Sequence, residues 1–387
     1  MIAVVADDLT GAAELGGIGL RYGLSVHIAT AVAGAPPADL LVIATDTRSQ
    51  SRAAAVATTD RVMRDLAGLQ PTLIFKKTDS VLRGHVLAEL RAQLQALGLE
   101  KALLVPANPA LGRTITQGTY YLQGRPIHES SFAQDPEFPV ASARVLDMVG
   151  GREPEVQVLA AREPRPPAGL VIGEAESAAD LQAWARSLDP GTAVAGAAGF
   201  FMALLEARGL GLASPAPAPC LGLPALYVCG STFARSRQRI RAAKENGGPV
   251  SYLPRNLVSG SRPTAEQVGL WAAEIAALLQ SRGQAILAID PAATAGLDPS
   301  AASLRDLTAR VVQQVFRAVT PGELLVEGGA TAAAILQRLH LQAFTPVQEL
   351  APGVIRMQVA GNRHLCLTLK PGSYDWPATL WPFHPPQ

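Results

Sequence analysis

Along the chain, short β-branched or aliphatic runs alternate with longer alanine-rich stretches in which apolar positions return every three or four residues. The first pattern predicts strands at Ile2 to Ala6, Ser25 to Thr30, Leu40 to Ala44, Thr72 to Lys76 and Ala102 to Val105. The second predicts helices over Gly11 to Tyr22, Ser51 to Ala67 and Val86 to Ala96. Strands that are apolar throughout and set between helices imply a parallel sheet covered on both faces. The longest apolar run, Ala193 to Leu205, is too short to span a bilayer and reads as a buried helix.

The pattern pauses between Gly209 and Pro224, where Ser214 opens a run alternating proline with alanine up to Pro219. Repeated prolines neither continue a helix nor donate to a sheet, so this is the linker. Beyond it the alternation resumes. Strands are predicted at Ala225 to Cys229, Ala285 to Ile289 and Glu323 to Val326, and helices from Thr232, over Thr264 to Ser281, over Leu304 to Val319 and from Thr331. The last sixty or so residues are mostly β, with runs at Val354 to Val359 and His364 to Leu369. The fold expected is α/β: two α/β domains, each with a largely parallel or mixed sheet flanked by helices, facing an interdomain cleft. The first spans 1–210, the linker 211–224 and the second 225–387.

Composition narrows the functional classes. Of 387 residues, 48% are hydrophobic and 17% charged, with 33 basic against 32 acidic side chains. That balance argues against a general nucleic-acid binder, which needs clustered cations to neutralise phosphates, but leaves room for a local anion site. Cys220, Cys229 and Cys366 are odd in number and scattered, which fits neither a disulfide framework nor a zinc site and suggests buried thiols in a reducing compartment. The N-terminus enters a strand directly, without a basic leader, so a soluble cytoplasmic protein with no membrane partner is expected.

In open α/β sheets ligands bind beyond the carboxyl ends of the strands. After the first strand stand Asp7 and Asp8, then Thr10 and Gly11. Such carboxylates can accept substrate hydroxyls or hold a metal ion; a helix cap would explain one of them and not both. After the fourth come Lys76, Lys77, Asp79, Ser80, Arg83 and His85, the composition of a small-anion site, unless Asp79 and Arg83 merely pair in a solvated turn. A long loop from Pro106 through Arg113 to Gly118 has the length of a lid or binding loop, and His128 beyond it carries little weight. In the second half, strands end in Gly230-Ser231, Gly328-Gly329-Ala330-Thr331 and Pro371-Gly372, each able to aim backbone N–H groups at a phosphate. No Walker motif, nucleophile elbow or His-Glu-x-x-His pair occurs, and Gly17 and Gly19 lie inside a helical pattern, where close packing explains them.

Taken together, Ala6 to Ala12, Lys76 to Gly84, Gly112-Arg113-Thr114 and Gly230-Ser231 followed by Gln238 resemble the four-carbon acid sugar kinase family, over nearly the whole chain. The resemblance implies a first domain that binds a tetronate of the threonate or erythronate type and a second that binds ATP, with Mg²⁺ bridging the phosphates. It puts Asp7, Asp8 and Arg83 in catalysis, and Lys76, Lys77, Asp79, Ser80, Arg83 and Arg113 around the acid. Ser231, Gly328, Gly329, Ala330, Thr331 and Gly372 would surround the nucleotide, and protein ligands to the metal stay unassigned. Two departures stand out: Ala330 where many members have an acidic residue, and Asp375 where a glycine is usual, a carboxylate expected to repel phosphates. Two other readings stay open, a sugar-acid-binding protein without catalysis and a phosphatase with Asp7 as nucleophile, although the latter finds Leu9 where its acid should be. A homodimer is compatible with the sequence.

Overall fold

In the computed structural model, residues 1–135, 138–151, 155–214, 221–230, 234–259, 262–297, 299–372 and 374–383 are described. The chain divides into two compact units, Met1–Ser214 and Pro215–Gln387.

The first unit runs β1 (Ile2–Ala6), α1 (Leu9–Arg21), β2 (Val26–Ala29), β3 (Leu40–Ala44), α2 (Arg52–Ala67), β4 (Leu73–Lys77), α3 (Val86–Leu97) and β5 (Lys101–Val105). It continues with β6 (Arg113–Thr116), β7 (Thr119–Leu122), β8 (Arg125–Pro126), α4 (Val145–Met148), β9 (Val156–Leu159), β10 (Gly169–Gly173), α5 (Ala178–Arg186), β11 (Thr192–Gly196) and α6 (Ala198–Ala207). Its main sheet has the order β2-β3-β1-β4-β11-β5-β10-β9 and is parallel throughout. On one face Ala3, Val5, Leu41 and Ile43 pack with Val62, Met63 and Leu66 of α2. Elsewhere Phe75 of β4 meets Phe200 and Phe201 of α6, with ring centroids 6.3 and 5.1 Å away. Gly19 earns its place as expected: a Cβ there would stand 2.5 Å from Leu40 Cδ2, so α1 lies close on the sheet.

Two expectations fail. The apolar run from Ala193 to Leu205 is not one helix but β11 and the start of α6. The break falls at Gly196, where a Cβ would stand 2.3 Å from the Val105 carbonyl oxygen, so the strand packs too closely on β5 for any larger residue. The stretch from Pro106 to Gly118 is not a bare loop either. It turns through a short 3₁₀ segment, Pro109–Leu111, into β6, and β6-β7-β8 form a small antiparallel sheet.

The second unit runs β12 (Ala225–Cys229), α7 (Ala234–Glu245), β13 (Val250–Tyr252), α8 (Ala265–Arg282), β14 (Gln284–Ala288), α9 (Pro291–Thr294), α10 (Ala301–Ala318) and β15 (Glu323–Glu327). After α11 (Gly329–Leu339) come β16 (Ala343–Ala351), β17 (Val354–Val359) and β18 (Asn362–Lys370). Here the order is β13-β14-β12-β15-β18-β17-β16, with β17 antiparallel to both neighbours and the rest parallel. Tyr227, Trp376 and Trp381 anchor its core, Tyr227 and Trp381 meeting edge to face at 5.7 Å. Cys229 and Cys366 are free and buried, while Cys220 and the linker residues 215–220 lie outside the described residues. No helix among the described residues is long and apolar enough to cross a membrane.

Strand order locates the crevices. From β1 the chain crosses to β2 on one side, whereas from β4 it crosses to β5 on the other, so loops diverge between the carboxyl ends of β1 and β4. The same divergence occurs between β12 and β15. Ligands of open α/β sheets bind at such switch points.

Candidate functional site

At the first switch point Asp8 is the N-cap of α1, its backbone extended at φ −144°. Its Oδ1 accepts the Gly11 N–H at 2.9 Å and its Oδ2 the Thr10 hydroxyl. Capping thus accounts for Asp8, and Asp7 is free of that duty. A Cβ on Gly11 would lie 2.7 Å from Asp8 Oδ1 and 3.2 Å from the Lys77 ammonium, so only glycine lets the cap and the lysine meet there.

Asp7 faces Arg48 in the turn after β3. Arg48 Nε donates to Asp7 Oδ2 at 2.8 Å, and its Nη2 donates to Asp7 Oδ1 and Asp8 Oδ1, each at 3.0 Å. Its Nη1 lies 3.6 Å from Asp79 Oδ1. One guanidinium, only 13% exposed, therefore joins three carboxylates from the ends of two strands. No motif marks Arg48 in the sequence; the signal that finds it is its place just after an apolar strand, the same place Asp7 and Asp8 occupy. Gly84, at φ +88°, makes room for it, since a Cβ there would lie 3.0 Å from Arg48 Cγ.

The two neighbouring aspartates titrate apart. Burial pushes Asp7 above the usual aspartate value, and Arg48 and Lys76 counter this only in part while Asp8 adds to it. Burial acts on Asp8 too, but Arg48, Lys77, the Thr10 hydroxyl and the Gly11 N–H outweigh it and hold Asp8 below that value. Two carboxylates with opposite shifts are the pattern of a site that assigns them different roles.

Along β4 alternation sends Lys76 and Lys77 to opposite faces. The Lys76 ammonium is fully buried and bonds Glu89 Oε2 of α3 at 2.7 Å, so it is committed behind the site and touches Asp7 only through its field. Lys77 stays in the cluster, donating to the Thr78 carbonyl at 2.9 Å with Glu14 Oε2 at 3.6 Å. Breaking a buried pair strands a charge, at a cost of about 3–5 kcal/mol. Lys76→Met should lower unfolding stability by about that amount, and Lys76→Met with Glu89→Leu should recover most of it. Urea denaturation checks both, and full stability in the single variant would contradict the pairing.

Asp79 and Arg83 do form the internal pair. Arg83 Nε donates to Asp79 Oδ2 at 2.8 Å, Nη2 to Oδ1 at 2.9 Å, and Nη1 to Asp135 Oδ2 at 2.7 Å. Burial pushes Asp79 up, but Arg83 and Arg48 overcome it and hold this carboxyl far below the usual range. Arg83, expected in catalysis and around the acid, is thus engaged by two protein carboxylates, Asp79 and Asp135. Ser80 accepts the Arg113 guanidinium on its hydroxyl, and its carbonyl accepts the Tyr120 hydroxyl at 2.5 Å, which ties the small sheet to the β4 turn. Arg83 and Arg113 both lie over the Phe132 ring, at 5.4 and 5.6 Å.

At the second switch point the register sets Cys229, Glu327 and Lys370 side by side. Glu327 and Lys370 are both buried and 2.9 Å apart, and the Ser236 hydroxyl donates to Glu327 at 2.8 Å. The Lys370 ammonium also donates to the carbonyls of Pro371 at 3.1 Å and Tyr374 at 2.6 Å, pinning the turn that carries Gly372. Gly328, at φ +95°, leads into α11, whose first turn holds Gly329, Ala330 and Thr331 and whose N-terminus has no side-chain cap. A Cβ on Gly230 would stand 3.1 Å from Thr331 Oγ1, so glycine keeps this corner open. Uncapped N–H groups at a glycine-rich helix start suit a phosphate group. Ser231 lies outside the described residues. Asp375, the unexpected carboxylate, is paired with Arg235 at 2.8 Å, so its charge is answered locally. Among the described residues no cluster of three or more His, Cys, Asp or Glu could hold a metal ion.

Comparison with known proteins matches residues 2–204 to a sugar-binding N-terminal domain and residues 226–374 to a nucleotide-binding C-terminal domain. The chain is 28% identical over 374 residues to a D-threonate kinase of Bordetella bronchiseptica, covering 91% of this chain and 88% of that one. It is 27% identical to a 3-oxo-tetronate kinase of Methylobacterium radiotolerans, with 96% of each covered. A D-erythronate kinase of Heliobacterium modesticaldum is 28% identical over 63% of this chain and 60% of its own length. A solved structure from Haemophilus influenzae shares the fold, with a TM-score of 0.69 at 20% identity over 98% of both chains.

Proposed function

The chain belongs to the four-carbon acid sugar kinase family, and from that premise we propose that it transfers the γ-phosphoryl group of ATP to a terminal hydroxyl of a threonate- or erythronate-type acid. The observation that carries this reading is the carboxylate and cation cluster at the β1/β4 switch point, built from Asp7, Asp8, Arg48, Lys77 and Asp79. Carboxylates accept the hydroxyls of a polyol, and flanking cations answer the charge that develops on the transferred group.

Phosphoryl transfer asks a protein mainly for positioning and electrostatics. Asp7, the more basic of the two aspartates, takes the proton of the attacking hydroxyl, while Asp8 stays ionised and orients a neighbouring hydroxyl. Arg48 keeps both in register. In the second domain the N–H groups of Gly329, Ala330 and Thr331, with Gly230 packed against Thr331, cradle the nucleotide phosphates. Mg²⁺, when bound with the nucleotide, supplies charge neutralisation on the phosphates.

The test is a coupled assay with purified protein, ATP, Mg²⁺ and a panel of four-carbon acids. At least one acid should give ATP-dependent product, and a folded protein that phosphorylates none of them would remove the proposal.

A further inference from the structure

The acid site is neutralised before any substrate arrives. Arg48, Lys76, Lys77 and Arg83 each have a protein carboxylate within 3.6 Å, supplied by Asp7, Asp8, Asp79, Asp135, Glu14 or Glu89. A substrate carboxylate added to those pairs would face acids already in place and would have to displace one of them. Arg113 differs. It opens β6, has no carboxylate at ion-pair distance among the described residues, and donates through Nη1 to the neutral Ser80 hydroxyl. Its Nε is buried and has no hydrogen-bond partner among the described residues. A guanidinium carries five N–H donors and matches a carboxylate bidentately, so most of its capacity is unspent. Its position is fixed from two sides, by Ser80 at the end of the β4 turn and by the Phe132 ring 5.6 Å from Cζ.

We infer that Arg113, and not Arg83, binds the carboxylate of the sugar acid and sets the preference for acids over neutral polyols of the same length. This rests on the sugar-acid kinase reading and names the residue that makes the site an acid site. Arg83, stacked on the same ring, then acts on structure: it holds Asp79 and Asp135 and keeps the Phe132 shelf beneath Arg113.

The experiment compares kcat/KM for threonate and erythronate with that for the neutral tetritols threitol and erythritol, in the wild type, Arg113→Gln, Arg113→Lys and Arg83→Gln, with thermal melts as the folding control. Arg113→Gln should raise the KM for the acid roughly 10- to 100-fold, the worth of a charge-assisted contact, and shrink the acid-over-tetritol ratio by the same factor. Arg113→Lys, which keeps the charge and loses the fork, should give an intermediate ratio, and Arg83→Gln should lower the melting temperature and shrink the ratio less than Arg113→Gln does. A ratio equal to wild type in both folded Arg113 variants, or one lost only in Arg83→Gln, overturns the inference and leaves the kinase reading intact. A wild type that phosphorylates no acid overturns the kinase reading itself.

Discussion

Asp7→Asn is expected to lower kcat roughly 10²- to 10⁴-fold, the range that a positioned general base supplies, with much smaller changes in the KM values. The amide cannot take a proton, yet it keeps the size of Asp7 and one oxygen for Arg48. The wild-type rate should fall on the acid side as Asp7 protonates, and because burial raises this carboxyl, that limb should lie above the ordinary aspartate value of 3.8. In Asp7→Asn the limb should vanish. Asp8→Asn makes the comparison, because asparagine still accepts the Gly11 N–H as a helix cap and the fold should survive. Should Asp8→Asn lose more activity than Asp7→Asn, with both folded, the roles of the two are reversed.

Arg48→Met is expected to cost much of the first unit's stability. It leaves Asp7, Asp8 and Asp79 buried without their shared cation, and a stranded buried charge costs about 3–5 kcal/mol. In a domain of this size that lowers the melting temperature by roughly 10 °C. The sign with pH follows from the folded-state shifts. Asp8 and Asp79 are held below 3.8, so their stabilisation is complete above that value and is lost as pH falls beneath it. The gap between wild type and Arg48→Met should therefore be widest near neutral pH and close in acid. Asp7 is shifted the other way, so its ionised form costs stability near neutral pH, and that cost is relieved as pH falls through its raised value. Melting curves across pH measure this directly, and a gap that stays constant into strong acid would mean that the loss is packing and not charge.

Where the fold rests on local period, it was legible. Ile2–Ala6, Leu40–Ala44 and Val354–Val359 are strands with the bounds that apolar runs predict, and the capping of α1 by one aspartate of a pair was foreseeable from residue types alone. What escaped depends on partners distant in sequence. Nothing local in Ala193 to Leu205 tells a helix from a strand running into one, because the break comes from contact with the Val105 carbonyl. Residues 113–126 are polar enough to pass for loop and become strands only by pairing with each other. Lys76 and Lys77 look like one cationic feature until strand alternation separates them, and ending the predicted strand at Lys76 hid that alternation. Arg48 needed the knowledge that β3 and β1 are neighbours.

The corner at Gly11 links binding to heat resistance. Any side chain there would strike the oxygen that holds the start of α1 and the ammonium beside it, so this wall of the proposed acid site and the anchor of that helix are one object. Selection for a wider range of substrates cannot loosen the wall without also fraying the helix, and variants that gain there should lose thermal tolerance in step. Room for new specificity lies instead on the β6 side, where Arg113 is tied to the rest of the domain through Ser80 and Phe132 and bears none of the helix-capping duty.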